Sequence, residues 1–223
     1  MVLLRKKNNI VNKMRFATLF NYIWAEGEIK MNICLYGASS KELDKKYISA
    51  AEELGRIIAE RGHSLVYGGG AHGMMGGAAR GVKDGGGTVI GVAPRFFNVD
   101  GVLYKQCDEF IYTETMRERK RIMEERSDAF VAVAGGIGTF EEFFEILTLK
   151  QLGRHNKPIA LYNTCGYYDY LEDMLKKAVS DRFMTEGCST LYRACASAEE
   201  ILNYFESYKS ENVDLSTFKN IWK

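Results

Sequence analysis

A glycine-rich segment that ends in two carboxylates is the part of the chain best suited to chemistry. Residues 134–142 read Ala-Gly-Gly-Ile-Gly-Thr-Phe-Glu-Glu and follow an apolar run, residues 129–133, that predicts a buried strand. Glycines let the backbone approach a ligand closely, and the start of a helix offers unpaired N–H groups and the positive end of a dipole. We therefore expect a phosphate to bind along residues 136–139, with Glu141 and Glu142 beside it in the first helical turn. Such a site suits chemistry on a nucleotide or a sugar phosphate.

The same residues also have a purely structural interpretation. Thr139 followed three residues later by Glu142 forms the pattern of a capping box, in which the two side chains satisfy backbone N–H groups at a helix start. Taken alone, this pattern favours a cap over a catalytic acid. The preceding glycines, which a cap does not need, favour a ligand site, and both interpretations remain open on the sequence.

A cationic helix is predicted just upstream, over residues 114–127. Arg117, Arg119, Lys120 and Arg121 alternate there with glutamates, and a helix of mixed charge is usually a solvated face. Lys120 nevertheless shares a helical face with two methionines, and Arg119 borders that face. We therefore treat these two cations as candidates for facing a crevice.

Of two common nucleotide-binding motifs, one is disfavoured by its surroundings and the other is absent from the sequence. Residues 68–76 contain GxGxxG, but the next predicted strand, residues 88–92, does not end in the acid that a dinucleotide fold requires. This disfavours a nicotinamide dehydrogenase. The P-loop pattern GxxxxGK[ST] does not occur in the sequence either.

The elements that must position these residues alternate between strand and helix. From Met31 onward, apolar strand runs are separated by helical patterns, which predicts an α/β fold with a doubly wound, Rossmann-like parallel sheet in a single domain over residues 31–208. Glycine-rich turns follow Tyr36, Tyr67 and Val133. Because the carboxyl ends of parallel strands share one edge, we expect these turns to form a nucleotide-sized crevice.

Composition narrows the function classes. The 223 residues carry a net charge of +1, which gives no reason to expect nucleic acid or a membrane surface as a partner. The five cysteines are scattered without a CxxC pair, as in reduced cytoplasmic proteins. The three histidines lack metal-ligand spacing, and no apolar run reaches the length of a membrane span. We expect a cytoplasmic protein without a metal site.

The two ends of the chain are predicted to lie outside the domain. Residues 1–30 form an N-terminal extension that we expect to be disordered or not part of the native protein. Codons for residues 26–30 can resemble a bacterial ribosome-binding site directly before Met31, and we hypothesise that Met31 is the biological start. Residues 209–223 are interpreted as a C-terminal tail.

Together these motifs resemble those of the "Lonely Guy" family of phosphoribohydrolases, whose members are often mislabelled as lysine decarboxylases. The family's PGGxGTxxE corresponds to residues 134–142, and its MHxRKxxM corresponds to residues 116–123. Residues 67–76 resemble the family's YGGGxxGLMG. Ala134 replaces the motif proline and Arg117 the motif histidine, and a family acid in the loop after the third strand has no clear match, although Asp100 lies nearby.

The resemblance implies an activity, a fold and a set of site residues. The activity is hydrolysis of the N-glycosidic bond of nucleoside 5′-monophosphates, such as AMP and cytokinin ribotides, to free base and ribose 5-phosphate. The implied fold is Rossmann-like, the assembly a homodimer or larger homo-oligomer, and no cofactor is required. The implied catalytic pair is Arg119 and Glu142. The implied substrate-binding residues are Lys120, Gly136, Ile137, Gly138, Thr139, Glu141 and Thr148.

The resemblance leads to an expected mechanism, and the same crevice also allows an alternative function. We expect the phosphate to anchor the ribose, and Glu142, kept ionised by the helix start, to stabilise positive charge on the sugar. The alternative is a nucleotide-binding carrier or sensor that uses the same crevice without hydrolysis. Lysine decarboxylation would need a lysine that binds pyridoxal phosphate, and no motif indicates one.

Overall fold

The computed structural model of this protein describes residues 30–209. The predicted N-terminal extension and C-terminal tail lie, apart from Lys30 and Lys209, outside the described residues. Their predicted boundaries therefore stay predictions.

Seven strands within residues 30–209 form one parallel sheet. They are β1 (Asn32–Tyr36), β2 (Ser64–Tyr67), β3 (Thr88–Pro94), β4 (Glu109–Thr113), β5 (Ala129–Ala132), β6 (Ile159–Tyr162) and β7 (Arg193–Cys195). Their order across the sheet is β4-β3-β2-β1-β5-β6-β7. The chain thus runs outward from β1 to one edge, returns to place β5 beside β1, and continues to the other edge. The loops after β1 and β5 diverge at this point, which is where open parallel sheets bind ligands.

Six α-helices accompany the strands of the described domain: five lie between strands, and the last follows β7. They are α1 (Lys45–Glu60), α2 (Gly73–Asp84), α3 (Met116–Glu125), α4 (Ile137–Gln151), α5 (Asp169–Ser180) and α6 (Ala198–Ser207). Local sequence explains several of their starts. Asp44, Thr115 and Ser197 each accept a hydrogen bond from a backbone N–H in the first turn of the helix that follows.

The core has two layers, one on each face of the sheet. Along β1, Ile33 and Leu35 are buried in the layer with α1, α2 and α6. Cys34 and Tyr36 are buried in the other layer, with α4. This alternation is the two-residue period of a strand covered on both faces. The predicted α/β fold, with its doubly wound parallel sheet, is confirmed.

Some elements differ from the prediction at their edges. Strand β7 was missed, because three residues that include an exposed arginine carry no strand periodicity. Helix α3 is shorter at both ends than the predicted range of residues 114–127. The predicted loop after β3 contains a short 3₁₀ turn, Arg95–Phe97. Within residues 30–209, no helix is both long enough and apolar enough to cross a membrane.

Candidate active site

A large cavity lies at the carboxyl ends of the central strands. Its volume is about 710 Å³. The walls come from the glycine turns after β1 and β2, the loop after β3, the start of α3 and the start of α4. The lining residues are Gly37, Ala38, Ser39, Ser40, Lys41, Gly68, Gly70, His72, Met75, Phe97, Asp100, Gly101, Val102, Leu103, Met116, Arg119, Gly136, Gly138, Thr139 and Glu142.

The start of α4 presents free backbone amides to this cavity. Helix α4 begins at Ile137, and its first backbone bond runs from the Phe140 N–H to the Gly136 carbonyl. The amides of residues 136–139 have no acceptor among the described residues. A Cβ atom built on Gly136 or Gly138 would meet no atom within 4 Å. The backbone is therefore open to close approach by an anion.

The capping box that the sequence offers does not form. Gly136 is the N-cap residue of α4 and provides no side-chain cap, while Thr139 is the third residue of the helix. Glu142 is the sixth residue, and its carboxylate accepts from Arg119 instead of from a backbone N–H at the helix start. The expectation that Glu141 and Glu142 lie in the first turn is also wrong: both lie in the second turn, since the glycines begin the helix earlier than a Thr139 cap would.

Arg119 and Glu142 form a buried ion pair at the floor of the cavity. Arg119 Nη1 lies 2.6 Å from Glu142 Oε1, and the two residues are 6% and 9% exposed. Arg119 Nε also donates a hydrogen bond to the Val92 carbonyl at the end of β3, at 3.2 Å. A Cβ on Gly68 would lie 2.1 Å from Arg119 Nη2, so the guanidinium occupies the space that a side chain there would fill.

Burial sets the protonation tendency of Glu142. Removal from water raises the pKa of the Glu142 carboxyl above its usual value, and the charge and hydrogen bond of Arg119 act in the opposite direction. The expectation that the helix start keeps this carboxyl ionised is therefore incomplete. The increase in pKa caused by burial is larger than the decrease caused by neighbouring groups, of which Arg119 has the largest effect.

Four predicted site residues lie outside the large cavity. Lys120 pairs with Glu141 and, at 2.7 Å, with Glu145, beside a second cavity of about 270 Å³ between α3 and α4. Ile137 is 87% exposed, and Thr148 is exposed on the fourth turn of α4. The structure thus brings together Arg119, Glu142 and the 136–139 amides but does not bring these four side chains to them.

An apolar wall was missed by the sequence interpretation. Phe97, Val102 and Leu103 line the cavity from a segment predicted only as a loop. Backbone bonds hold this loop to the glycine turn after β2: the Ala71 N–H donates to the Val102 carbonyl and the Tyr104 N–H to the Gly69 carbonyl, both at 2.9 Å. The only signal available was the unusual number of apolar residues between Phe96 and Leu103.

His72 and Asp100 add polar groups near the same loop. His72 Nε2 lies 2.8 Å from the Gly101 carbonyl, which can only accept, so the Nε2–H donates. Asp100, the acid noted near the family position, does line the cavity. In residues 30–209, no cluster of three or more His, Cys, Asp or Glu side chains is arranged to hold a metal ion.

Comparisons with known proteins agree with the fold and the motifs. A family model described as "Possible lysine decarboxylase" matches residues 75–205. The probable cytokinin riboside 5'-monophosphate phosphoribohydrolase LOGL9 of Oryza sativa subsp. japonica is 41% identical, over 79% of this chain and 78% of that protein. The cytokinin riboside 5'-monophosphate phosphoribohydrolase LOG2 of Arabidopsis thaliana is 36% identical, over 85% of this chain and 89% of that protein.

Solved structures show the same architecture. The molybdenum cofactor carrier protein of Chlamydomonas reinhardtii superposes with a TM-score of 0.60 at 27% identity, covering 78% of this chain and 95% of that one. The molybdenum cofactor binding protein of Rippkaea orientalis superposes with a TM-score of 0.62 at 23% identity, covering 81% of this chain and 98% of that one, and it speaks to the fold alone.

The family resemblance seen in the motifs is thus supported over most of the chain. The family model spans more than half of the 223 residues, and the plant proteins match over more than two thirds of their own length. The chain belongs to the LOG family of cytokinin riboside 5'-monophosphate phosphoribohydrolases.

Proposed function

We propose that this protein hydrolyses the N-glycosidic bond of nucleoside 5′-monophosphates, either AMP or N6-modified AMP such as cytokinin ribotides. The products are the free base and ribose 5-phosphate. The observation that carries the proposal is the buried Arg119–Glu142 pair, which shares one cavity with the unpaired amides of α4. The names of the plant relatives give the same substrate class for those proteins.

The 5′-phosphate binds the start of α4 in this proposal. The amides of residues 136–139 donate to its oxygens, and the absence of a side chain at Gly136 and Gly138 leaves room for it. Hydrogen bonds to a charged acceptor are about twice as strong as neutral ones. This binding energy comes from a part of the substrate that does not react, so it can be used to hold the ribose in place.

Glu142 acts at the sugar. Breaking the bond between C1′ and the base nitrogen builds positive charge on the ribose, which a fixed carboxylate stabilises. Glu142 also orients the water that attacks C1′ and accepts its proton, while the base leaves with the bonding electron pair and takes up a proton. Arg119 holds the carboxylate in position and offsets the crowding of negative charge between Glu142 and the phosphate.

The apolar residues that line the cavity suit the base. Phe97, Val102 and Leu103 are apolar and face the same space as the catalytic pair. A purine with an apolar substituent buries more surface there than a bare purine does, at roughly 25 cal/mol per Å². Substrate contacts by Lys120, Ile137, Glu141 and Thr148 stay predictions.

We also propose a homodimer or larger homo-oligomer in the cytoplasm. Large apolar side chains are exposed on and after α5, namely Tyr170, Met174 and Phe183. A second copy of the chain would cover such side chains, and light scattering after size exclusion tests this. The five cysteines are all free thiols, which fits a reducing compartment.

A product assay tests the proposed function. The chain is incubated with AMP and with N6-isopentenyl-AMP, and the released base is separated by chromatography. We expect base release by the unaltered protein and a loss of at least a hundredfold for Glu142→Gln and Arg119→Ala. Turnover of Glu142→Gln at the unaltered rate would remove this residue from the mechanism.

The rival function is a carrier or sensor that binds without hydrolysis. It is favoured by the structural similarity to the carrier protein of Chlamydomonas reinhardtii. Calorimetry with AMP, combined with the product assay, separates the two functions. Binding of AMP without any released base would favour the carrier.

A further inference from the structure

Two tyrosines at the start of α5 reach the glycine segment that precedes α4. Tyr167 Oη donates to the Gly135 carbonyl at 2.5 Å, and Tyr168 Oη donates to the Val133 carbonyl at 2.7 Å. The carbonyl between them, that of Ala134, accepts from the Ala38 N–H at 3.2 Å. Three consecutive carbonyls are therefore held by groups from other segments.

The chain after β6 places these tyrosines by a tightly bonded turn. Asn163 Oδ1 accepts from the Tyr168 N–H, and Asn163 Nδ2 donates to Asp169 Oδ1, both at 2.7 Å. Cys165 and Gly166 in this turn have φ values of 56° and 72°, the left-handed conformation that reverses the chain. Since β6 lies beside β5, the turn carries the tyrosines over the end of β5.

The Tyr167 bond determines where the next amide points. In a planar trans peptide, the carbonyl of one residue and the N–H of the next point in opposite directions. A Gly135 carbonyl held towards Tyr167 therefore directs the Gly136 N–H away from Tyr167. Gly136 lines the large cavity, and its N–H has no acceptor among the described residues.

We infer that Tyr167 is a positioning residue for the phosphate site, because its hydroxyl fixes the Gly135–Gly136 peptide with the amide facing the cavity. Glycine on both sides of this peptide leaves it free to rotate, so an external hold is needed. The inference rests on the proposed function only for the identity of the anion. Tyr167 does not line the cavity and so acts through the backbone.

The test is Tyr167→Phe with ligands that differ in the phosphate. The phenylalanine keeps the edge-to-face ring contacts with Tyr47 and Tyr168, whose centroids lie at 6.0 and 5.1 Å, so we expect it to fold. Calorimetry measures binding of ribose 5-phosphate and of adenosine. We expect ribose 5-phosphate to bind about tenfold more weakly than to the unaltered protein, while adenosine affinity is unchanged.

Two control variants show whether the effect is specific to the Tyr167 hydroxyl. Tyr170→Phe removes a hydroxyl from an 89% exposed side chain of the same helix, and we expect both affinities to stay the same. Tyr168→Phe removes the bond two residues earlier, and we expect it to lower the melting temperature more than Tyr167→Phe does. Tyr168 is 1% exposed, so water cannot replace its hydroxyl as the partner of the carbonyl, whereas Tyr167 is 37% exposed.

Several outcomes would overturn the inference. Unchanged affinity of Tyr167→Phe for ribose 5-phosphate would do so, as would an equal loss for ribose 5-phosphate and adenosine, which indicates general damage. Failure of the unaltered protein to bind ribose 5-phosphate would do so too. Neither ligand has to be hydrolysed, so a protein that binds ribose 5-phosphate but releases no base from AMP would refute the proposed function alone.

Discussion

Replacing Gly138 by alanine tests whether the open space beside this residue is needed for ligand binding rather than for folding. A Cβ at Gly138 would meet no atom within 4 Å, and the residue does not have a positive φ. Substitution of glycine by alanine at such a position stabilises a protein by about 0.4–1 kcal/mol, because the unfolded chain loses freedom. For a domain of this size we expect the melting temperature of the ligand-free protein to rise by about 1–4 °C.

The same methyl group occupies the space where we propose that the phosphate binds. A hydrogen bond to a charged group contributes about 1.5–3 kcal/mol, so losing one amide contact lowers kcat/KM for AMP by about tenfold to a hundredfold. The assays are thermal unfolding without ligand and base release from AMP over a range of concentrations. The expected result is a more stable protein that is a poorer catalyst.

Gly135→Ala provides the contrast. Its Cβ would lie 2.1 Å from Thr139 Oγ1 and 3.0 Å from the Ala38 nitrogen, so this variant should lose stability as well as activity. Wild-type kcat/KM in a Gly138→Ala protein would refute the reasoning, because no phosphate could then rest against these amides. A lower melting temperature for Gly138→Ala would instead show that the space around this residue is not open.

Three further predictions follow from burial and close contact. If Glu142 must be ionised, the acid limb of the pH profile of kcat/KM for AMP should have its midpoint above pH 4.5, the ordinary glutamate value, because burial raises the pKa of Glu142. A midpoint at or below pH 4.5 would contradict this. Among residues 30–209, the buried Lys150 Nζ has no hydrogen-bond partner, although it lies 4.8 Å from the centroid of the Tyr208 ring. Burial lowers the pKa of Lys150 to about 8, so the burial penalty is full below pH 8 and disappears as the pH rises towards 10.5. Lys150→Met should therefore raise the free energy of unfolding by about 1–3 kcal/mol at pH 7 and by much less at pH 10, measured with denaturant. Gly68→Ala should displace Arg119 and cut base release by at least tenfold. Gly70→Ala should reduce base release far less, because its added carbon meets only the flexible end of a methionine. Equal losses in the two variants would refute the role of Gly68.

The fold was predictable because its buried strands and helices each leave a regular pattern of apolar residues in the sequence. The apolar runs of β1, β2, β5 and β6 are buried throughout or nearly so, as strands covered on both faces must be. Glycine turns at three strand ends correctly predicted which edge of the sheet carries the cavity. Phe143 and Leu147 are four residues apart in α4, the spacing of one helical face, and both lie in the core.

The directions of individual side chains were less predictable. Thr139 and Glu142 fit a capping box by spacing, yet the helix begins at the glycines, and a partner from α3 takes the carboxylate. Lys120 and Arg119 are adjacent in sequence, but neighbouring residues of a helix point about 100° apart. Only Arg119 therefore reaches the large cavity, while Lys120 turns towards Glu145. Such outcomes depend on contacts between α3 and α4 that no local pattern encodes.

The walls of the large cavity come from separate stretches of chain. Arg119 and Glu142, the proposed catalytic pair, lie on α3 and α4, while the apolar residues Phe97 and Val102 belong to the loop between β3 and β4. That loop is fastened to its neighbour by main-chain bonds that any sequence without proline at the donor positions can make. Exchange of its side chains could therefore adapt the protein to a different leaving group while the proposed catalytic pair stays in place.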